Sequence, residues 1–288
     1  MDPDALSRSC ESAALRITFA DGSSRQRLTV DDVMRIAQDM GVPGSEVERA
    51  ALARGIVPER YERSFDSFSV EDQSRLLASR ATVIGLGGLG GVVTEILARI
   101  GVGYLRLVDG DRFEGHNLNR QFLSTTGAIG TPKAKAARER VEAVNPSVQV
   151  DTASIFLIPA NADELIRGSH VVVDCLDSIE GRFNLESACK RCGIPMVSAA
   201  IAGMSGQVTV IFPGDRGLES VYGDPSPTPA KGAEATLGTL PMAVGVAASL
   251  ECGEAVKILL NQMPALRNRL LIFDLAAGIF ETVDLCST

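Results

Sequence analysis

Gly85, Gly87, Gly88 and Gly90 stand where an apolar run, Ala81-Thr-Val-Ile84, passes directly into a glycine turn and then into a helix-forming segment. The spacing of Gly85, Gly87 and Gly90 is G-x-G-x-x-G, the pattern of a phosphate cradle. The first glycine permits a tight turn, the second lets the backbone approach a pyrophosphate, and the third lets helix pack closely on strand. Amide N–H groups exposed at the start of the following helix then favour an anion. On these glycines alone the ligand is NAD, FAD or ATP, and a plain strand-to-helix corner has the same residues. Asp109, nineteen residues after Gly90, ends the next apolar run, where a carboxylate accepts hydrogen bonds from a ribose in an NAD or an ATP site alike.

The elements that must position these groups are those of an α/β protein. From Ala81 onward strands and helices alternate, which predicts a Rossmann-like, mostly parallel sheet with helices on both faces. Strands are expected near 81–86, 104–109, 148–153, 170–175 and 194–199, with helices near 91–100, 132–144, 161–167 and 180–192. Thr131-Pro132 reads as a helix start, an N-cap side chain before proline at the first helical position. After Ala200 the pattern changes: 206–212 and 270–285 read as strands that pair antiparallel, separated by a loop and a long apolar helix near 241–260. The Gly-, Pro- and Ser-rich segment 213–238 is a candidate mobile loop. Ahead of this unit, residues 1–58 read as a small N-terminal α+β or helical subdomain, with 59–288 as the main domain. In it a hairpin turns at Asp21-Gly22, a helix follows Thr29 through Asp39, and Ser45 with Glu48 forms a capping box before a second helix. The acidic residues Glu46 and Glu48 on that second helix make a packing module a better reading than a DNA-reading one.

Composition narrows the classes. A chain of 288 residues, 45% hydrophobic and 22% charged, is that of an ordinary soluble globular protein without a membrane-length apolar run. A net charge of −8 argues against broad nucleic-acid binding. Met1-Asp-Pro-Asp has no basic segment followed by an apolar core, so the six cysteines are expected as reduced thiols in a cytoplasmic setting. Cys189-Lys-Arg-Cys192 is a lone C-x-x-C in a helix, and Cys175 reads as core.

The segment after Asp109 separates the candidate ligands. Asp111, Asn117-Leu-Asn-Arg-Gln-Phe122 and Gly130-Thr-Pro-Lys133 bring Arg120 and Lys133 close in sequence to the cradle. ATP carries about four negative charges that must be held and partly neutralised, whereas NAD needs no such cluster of cations. Either cation taken singly also reads as a solvated surface group. Together with Asp174-Cys-Leu-Asp177, these motifs resemble the MoeB/ThiF/HesA family, bacterial relatives of ubiquitin-activating enzymes, over roughly residues 60 to 285. The resemblance implies adenylation of the C-terminal glycine carboxylate of a small ubiquitin-like sulfur-carrier protein, with ATP and Mg²⁺ and release of pyrophosphate. It assigns Gly85, Gly87, Gly88 and Gly90 to the nucleotide, Asp109 to the ribose, and Asn117, Arg120, Gln121 and Lys133 to the phosphates, with Asp111 beside them. Asp177 would hold Mg²⁺, a role suited to a hard oxygen ligand at the C-terminal end of a strand. Asp174, inside the apolar strand, reads as structural.

Arg60-Tyr-Glu-Arg63 resembles the family's Arg-Tyr-x-Arg-Gln segment, which implies a homodimer in which Arg63 reaches phosphates of the neighbouring subunit; Ser64 replaces the glutamine. The two C-x-x-C pairs that hold structural zinc in many relatives are missing, so no zinc is expected. Residues 213–251 also lack the cysteine that some relatives use for covalent chemistry, which leaves Cys189, Cys192 or Cys252 for any such step. The stretch Asp224-Pro-Ser-Pro-Thr-Pro-Ala230 either clasps an extended Gly-Gly tail or is a tether. Two rival readings stay open: an NAD(P)-dependent oxidoreductase, which leaves Arg120 and Lys133 unexplained, and a non-catalytic scaffold that keeps the fold.

Overall fold

A computed structural model describes residues 3–18, 22, 24–224 and 232–285. The N-terminal part contains α1 (Pro3–Ala13), β1 (Leu15–Thr18), β2 (Ser24–Leu28), α2 (Val30–Met40), α3 (Gly44–Ala53) and β3 (Ile56–Pro58). Its sheet has the order β1-β2-β3, with β1 antiparallel and β3 parallel to β2. The two hairpin strands are as expected, while Asp21 of the turn lies outside the described residues. Thr29 caps α2, its side chain accepting from Asp32 N at 3.1 Å, and Gly41 ends it at φ 64°. Leu28, Val33, Ile36, Val47 and Ile56 bury a separate small core. The expected capping box at Ser45 and Glu48 is absent. Pro43 occupies the N-cap, Ser45 lies inside α3, and the Glu48 carboxylate is drawn into a buried polar cluster instead. Neither α1 nor β3 was expected.

A 3₁₀ turn (Glu59–Ser64) leads to α4 (Val70–Leu77), which opens on a Ser69/Asp72 capping box. The main body then runs β4 (Arg80–Ile84), α5 (Gly88–Ile100), β5 (Tyr104–Val108), α6 (Lys133–Val144), β6 (Gln149–Ala153), α7 (Ala162–Ile166), β7 (Val171–Asp174), α8 (Ile179–Cys192) and β8 (Met196–Ala202). It continues through β9 (Ser205–Ile211), α9 (Glu219–Tyr222), α10 (Glu234–Leu237), α11 (Pro241–Leu259), β10 (Arg269–Asp274) and β11 (Ile279–Asp284). These strands form one eight-stranded sheet, order β11-β10-β9-β8-β7-β4-β5-β6. The pairs from β6 to β8 are parallel, and those from β8 to β11 antiparallel.

Period-two alternation of apolar side chains sorts the core into two layers. Val171 and Val173 of β7, with Ala81 and Val83 of β4, pack with Leu97 of α5 and Ala247 and Ala255 of α11 on one face. Val172 and Ile84 meet Leu165 of α7 and Leu185 and Ala188 of α8 on the other. Two local expectations are corrected. The side chain of Thr131 makes no cap: Pro132 is the N-cap and Lys133 the first helical residue. The segment 213–238 is not one irregular loop, because it contains α9 and α10; Pro225 to Ala230 lie outside the described residues.

Candidate functional site

The chain leaves β4 to build β5 and β6 on one side, then returns to place β7 and β8 on the other. Helices on opposite faces therefore diverge above the C-terminal end of β4, the crevice where open parallel sheets take ligands. A cavity of about 910 Å³ lies there, lined by Gly85, Gly87, Gly88, Asp109, Asp111, Arg120, Gln121, Lys133 and Asp177.

The glycines have separable physical causes. Gly85 has φ +89°, and a Cβ there would lie 2.6 Å from the carbonyl oxygen of Cys175. A Cβ at Gly90 would stand 1.8 Å from the Gly85 carbonyl oxygen, so the first turn of α5 rests on the strand-to-helix turn without room for a side chain. Gly90 does not line the cavity; it sets the packing beneath it. At Gly87 the nearest atom to a Cβ is Gln121 Nε2 at 3.5 Å, so the space beyond its backbone is the cavity itself. Gly87 is the N-cap of α5 and supplies no side-chain cap, leaving the first amides of the helix for an anion.

Asp109 Oδ2 accepts from Leu86 N at 2.7 Å, and Oδ1 accepts from Asp111 N at 2.7 Å. Two backbone donors thus fix the orientation of a carboxylate that retains lone pairs for further donors. Lys133, buried at the start of α6, donates from Nζ to Asp111 Oδ2 at 3.0 Å and lies 4.0 Å from Asp109 Oδ2. Arg120 Nη1 donates to His116 O and Asn119 Oδ1, both at 3.0 Å, leaving the rest of its guanidinium at the cavity wall. Gln121 is buried, and its Oε1 has no hydrogen-bond partner. Asn117 is set apart: it is buried, its Oδ1 accepts from Glu114 N at 2.9 Å, and it does not line the cavity. It closes the 3₁₀ turn that carries Arg120. Arg63 is also outside the cavity of its own chain, exposed on the turn before α4.

Asp174 and Asp177 occupy different surroundings. Asp174 is fully buried, accepting from Arg182 Nη1 at 3.0 Å and Ser198 Oγ at 2.6 Å. Asp177, exposed at the cavity, makes no hydrogen bond or ion pair with the described residues. Its free carboxylate fits a Mg²⁺ ion that takes one protein ligand, with phosphate oxygens and water completing the shell.

Sequence reasoning missed several lining groups. Phe156, just past β6, lays its ring against Gly110, where a Cβ would be 2.7 Å from the ring; only the cavity's three-dimensional closure brings these residues together. Cys175, read as core, lines the cavity floor. Burial, then the neighbouring Glu251, pushes its thiol well above the ordinary range, so it is a neutral group rather than a ready nucleophile. Glu251 is itself pushed well up, by burial first and Asp174 second. Cys189 and Cys252 are buried, with thiols raised by burial, and Cys192 is exposed at the far end of α8.

The chain is 39% identical over 230 residues to the SAMP-activating enzyme E1 of Haloferax volcanii, covering 78% of this chain and 84% of that protein. It is 32% identical over 233 residues to the molybdopterin-synthase adenylyltransferase of Salmonella typhimurium, covering 78% and 92%. Against the proteins named adenylyltransferase and sulfurtransferase MOCS3 from Arabidopsis thaliana and Drosophila yakuba, it spans about half of their length, 52% and 51%. Among solved structures, E. coli MccB with ATP superposes with a TM-score of 0.64 at 20% identity, covering 88% of this chain and 82% of that one, a likeness of fold. The ThiF family model matches residues 61–288, the whole of the body that forms the cavity, and the chain belongs to the ThiF family.

Proposed function

We propose that this protein adenylates the C-terminal glycine carboxylate of a small ubiquitin-like sulfur-carrier protein ending in Gly-Gly, using ATP and releasing pyrophosphate. It is an adenylyltransferase of the ThiF family. The observation that carries the finer reading is the convergence of Arg120, Lys133 and a free Asp177 on the glycine cradle within one cavity. The cations favour a ligand with more negative charge than a dinucleotide, which supports ATP over NAD.

In this reading the amides at Gly87 and the start of α5 hold phosphate oxygens, and Asp109, already oriented by two N–H groups, accepts from the ribose hydroxyls. Lys133 and Arg120 offset the charge of the triphosphate, Lys133 exchanging part of its contact with Asp111 for a phosphate; Gln121 lies beside Gly87 to contact the same group. Asn117 serves by holding the Arg120 turn. Mg²⁺ bound at Asp177 supplies additional charge neutralisation at the phosphates. A carboxylate oxygen of the carrier attacks the α-phosphorus in line, forming the acyl-phosphate bond as the bond to the β-phosphate oxygen breaks and pyrophosphate leaves. No protein nucleophile is needed, so positioning and electrostatics carry the rate. The far wall of the cavity, with Ile201, Gln207, Thr239 and Ile272, offers a course for an extended tail. Residues 1–58 are read as an accessory subdomain and 59–288 as the adenylation domain, working as a homodimer without structural zinc.

Exchange of labelled pyrophosphate into ATP, dependent on a Gly-Gly-ending carrier, tests the proposal. Arg120→Ala and Asp177→Ala should each lower exchange by about 10²-fold or more, the loss of one preorganised electrostatic group. Near-normal exchange in both variants overturns the assignment.

A further inference from the structure

The turn Glu59–Ser64 joins the N-terminal part to the main body and is gripped through all of its charged residues except one. Glu59 and Glu62 face Arg27 of β2 at 3.8 and 3.5 Å. Arg60 donates from Nη1 to Val144 O at the end of α6, 2.8 Å, and its Nε lies 3.5 Å from Glu48 Oε1. Tyr61, fully buried, donates its hydroxyl proton to Glu48 Oε2 at 3.2 Å and accepts from Asn145 Nδ2 at 3.0 Å. Glu48 of α3, itself buried, also accepts from Ser147 Oγ at 3.0 Å. Arg63 is the exception. It is exposed, makes no hydrogen bond or ion pair with the described residues, and lies outside its own chain's cavity.

We infer that Glu48 is a positioning residue for Arg63: through Arg60 and Tyr61 it locks the turn that presents this guanidinium to a second copy of the chain. The N-terminal part thereby acts on a site it never touches. The inference rests on the reading of Arg63 as a group that reaches the phosphates held by the partner subunit. Its physical basis is a chain of short contacts. Glu48 accepts from Tyr61 and Ser147 and faces Arg60 at ion-pair distance, so it ties α3, the turn and the segment after α6 together. Replacing one of its oxygens by an NH₂ removes an acceptor and sets a donor against the hydroxyls of Tyr61 and Ser147. The turn then loses its fixed register, while the cavity, built from β4, β5 and β7, keeps its own supports.

Subunit mixing separates this from general damage. Combining an Arg63→Ala copy with an Asp177→Ala copy should restore about a quarter of wild-type pyrophosphate exchange, since half of the dimers are mixed and each has one complete site. Glu48→Gln added to the Asp177→Ala copy, which donates Arg63, should cut the restored exchange by about tenfold or more, the scale expected for a misplaced group. The same change on the Arg63→Ala copy should leave it within about twofold, since no working Arg63 is displaced there. Equal loss in both placements, or no loss in either, overturns the inference. Failure of the first mixture to recover activity, with mixed dimers demonstrated by affinity tags, overturns the partner-subunit reading and the inference with it, and is seen before Glu48 is changed. Tyr61→Phe, which removes only the hydroxyl linking Asn145 to Glu48, should show the same dependence on placement, and serves if Glu48→Gln does not fold.

Discussion

Alanine at Gly90 and at Gly87 should fail in opposite ways, although the residues lie three apart in one motif. At Gly90 the added Cβ meets the Gly85 carbonyl oxygen at 1.8 Å and its carbon at 2.8 Å, both backbone atoms, so neither can rotate away. Restoring ordinary contact moves the start of α5 off the turn by about 1.6 Å or more, an overpacking change worth about 3 kcal/mol. Against this, alanine in a helix gains about 1 kcal/mol over glycine. The net loss is about 2 kcal/mol, which for a chain of this size lowers the melting temperature by about 4–8 °C. At Gly87 the nearest atom is 3.5 Å away, ordinary contact, so melting should shift by no more than about 2 °C. The methyl group there stands between the backbone and an approaching phosphate, and carrier-dependent pyrophosphate exchange should fall about 10²-fold, mainly through a higher KM for ATP. Differential scanning calorimetry and exchange kinetics on both variants decide the matter. Wild-type melting of Gly90→Ala, or a wild-type KM for ATP in Gly87→Ala, refutes the division of labour argued for the cradle.

Other outcomes follow from groups near the site and the junction. Cys175→Ser should retain exchange within about threefold, because the thiol is a neutral lining group; loss of about 10²-fold would assign it to the reaction. Burial pushes the Glu48 carboxyl up to about 7 against the opposing pull of Arg60. Its folded-state pKa therefore exceeds the unfolded one, and its contribution to stability is full below about pH 4.5 and lost as pH rises to about 7, some 3 kcal/mol at most. Urea unfolding at several pH values should show this decline in the wild type and not in Glu48→Gln; parallel profiles would remove Glu48 as its source. Metal analysis of the purified protein should find no tightly bound zinc, and about one equivalent per chain would contradict the reading of the absent cysteine pairs.

The parallel half of the sheet was legible because its strands are short, mostly apolar runs, as in Ala81–Ile84 and Val171–Val173, and such runs mark strands covered on both faces. The cradle was legible because its glycines recur at fixed spacing in one strand-turn-helix unit, although only the contact of Gly90 with Gly85 is local; Gly85 meets the carbonyl of Cys175, which no local pattern shows. What local pattern could not supply was the destination of side chains across long sequence separations. Glu48 has the spacing of a capping residue, yet Ser147, ninety-nine residues away, claims its carboxylate. Asn117 belongs to the same motif as Arg120, but an exchange of hydrogen bonds with Glu114 turns it inward. Phe156 belongs to no motif, and Cys175 reads as core within Asp174-Cys-Leu-Asp177; only the placing of β6 and β7 on opposite sides of β4 brings both to the cavity. The short helix α4 was readable in principle, since Ser69 and Asp72 form a capping box that the preceding turn obscured.

Asp177 sits beyond a backbone that has almost no freedom. Leu176, its neighbour, donates its N–H to Asp174 Oδ1 at 3.1 Å and gives its carbonyl to Arg182 Nη2, and Arg182 is anchored in turn to Ala199 O at 2.5 Å. The mobile part is therefore a side chain with two rotatable bonds on a fixed mount. Its reorientation belongs to the picosecond-to-nanosecond range, several orders faster than the rearrangement of a loop. Under the proposed reading a cation–nucleotide complex would meet a carboxylate on a fixed mount, so its capture would call for no rearrangement of the backbone that carries Asp177.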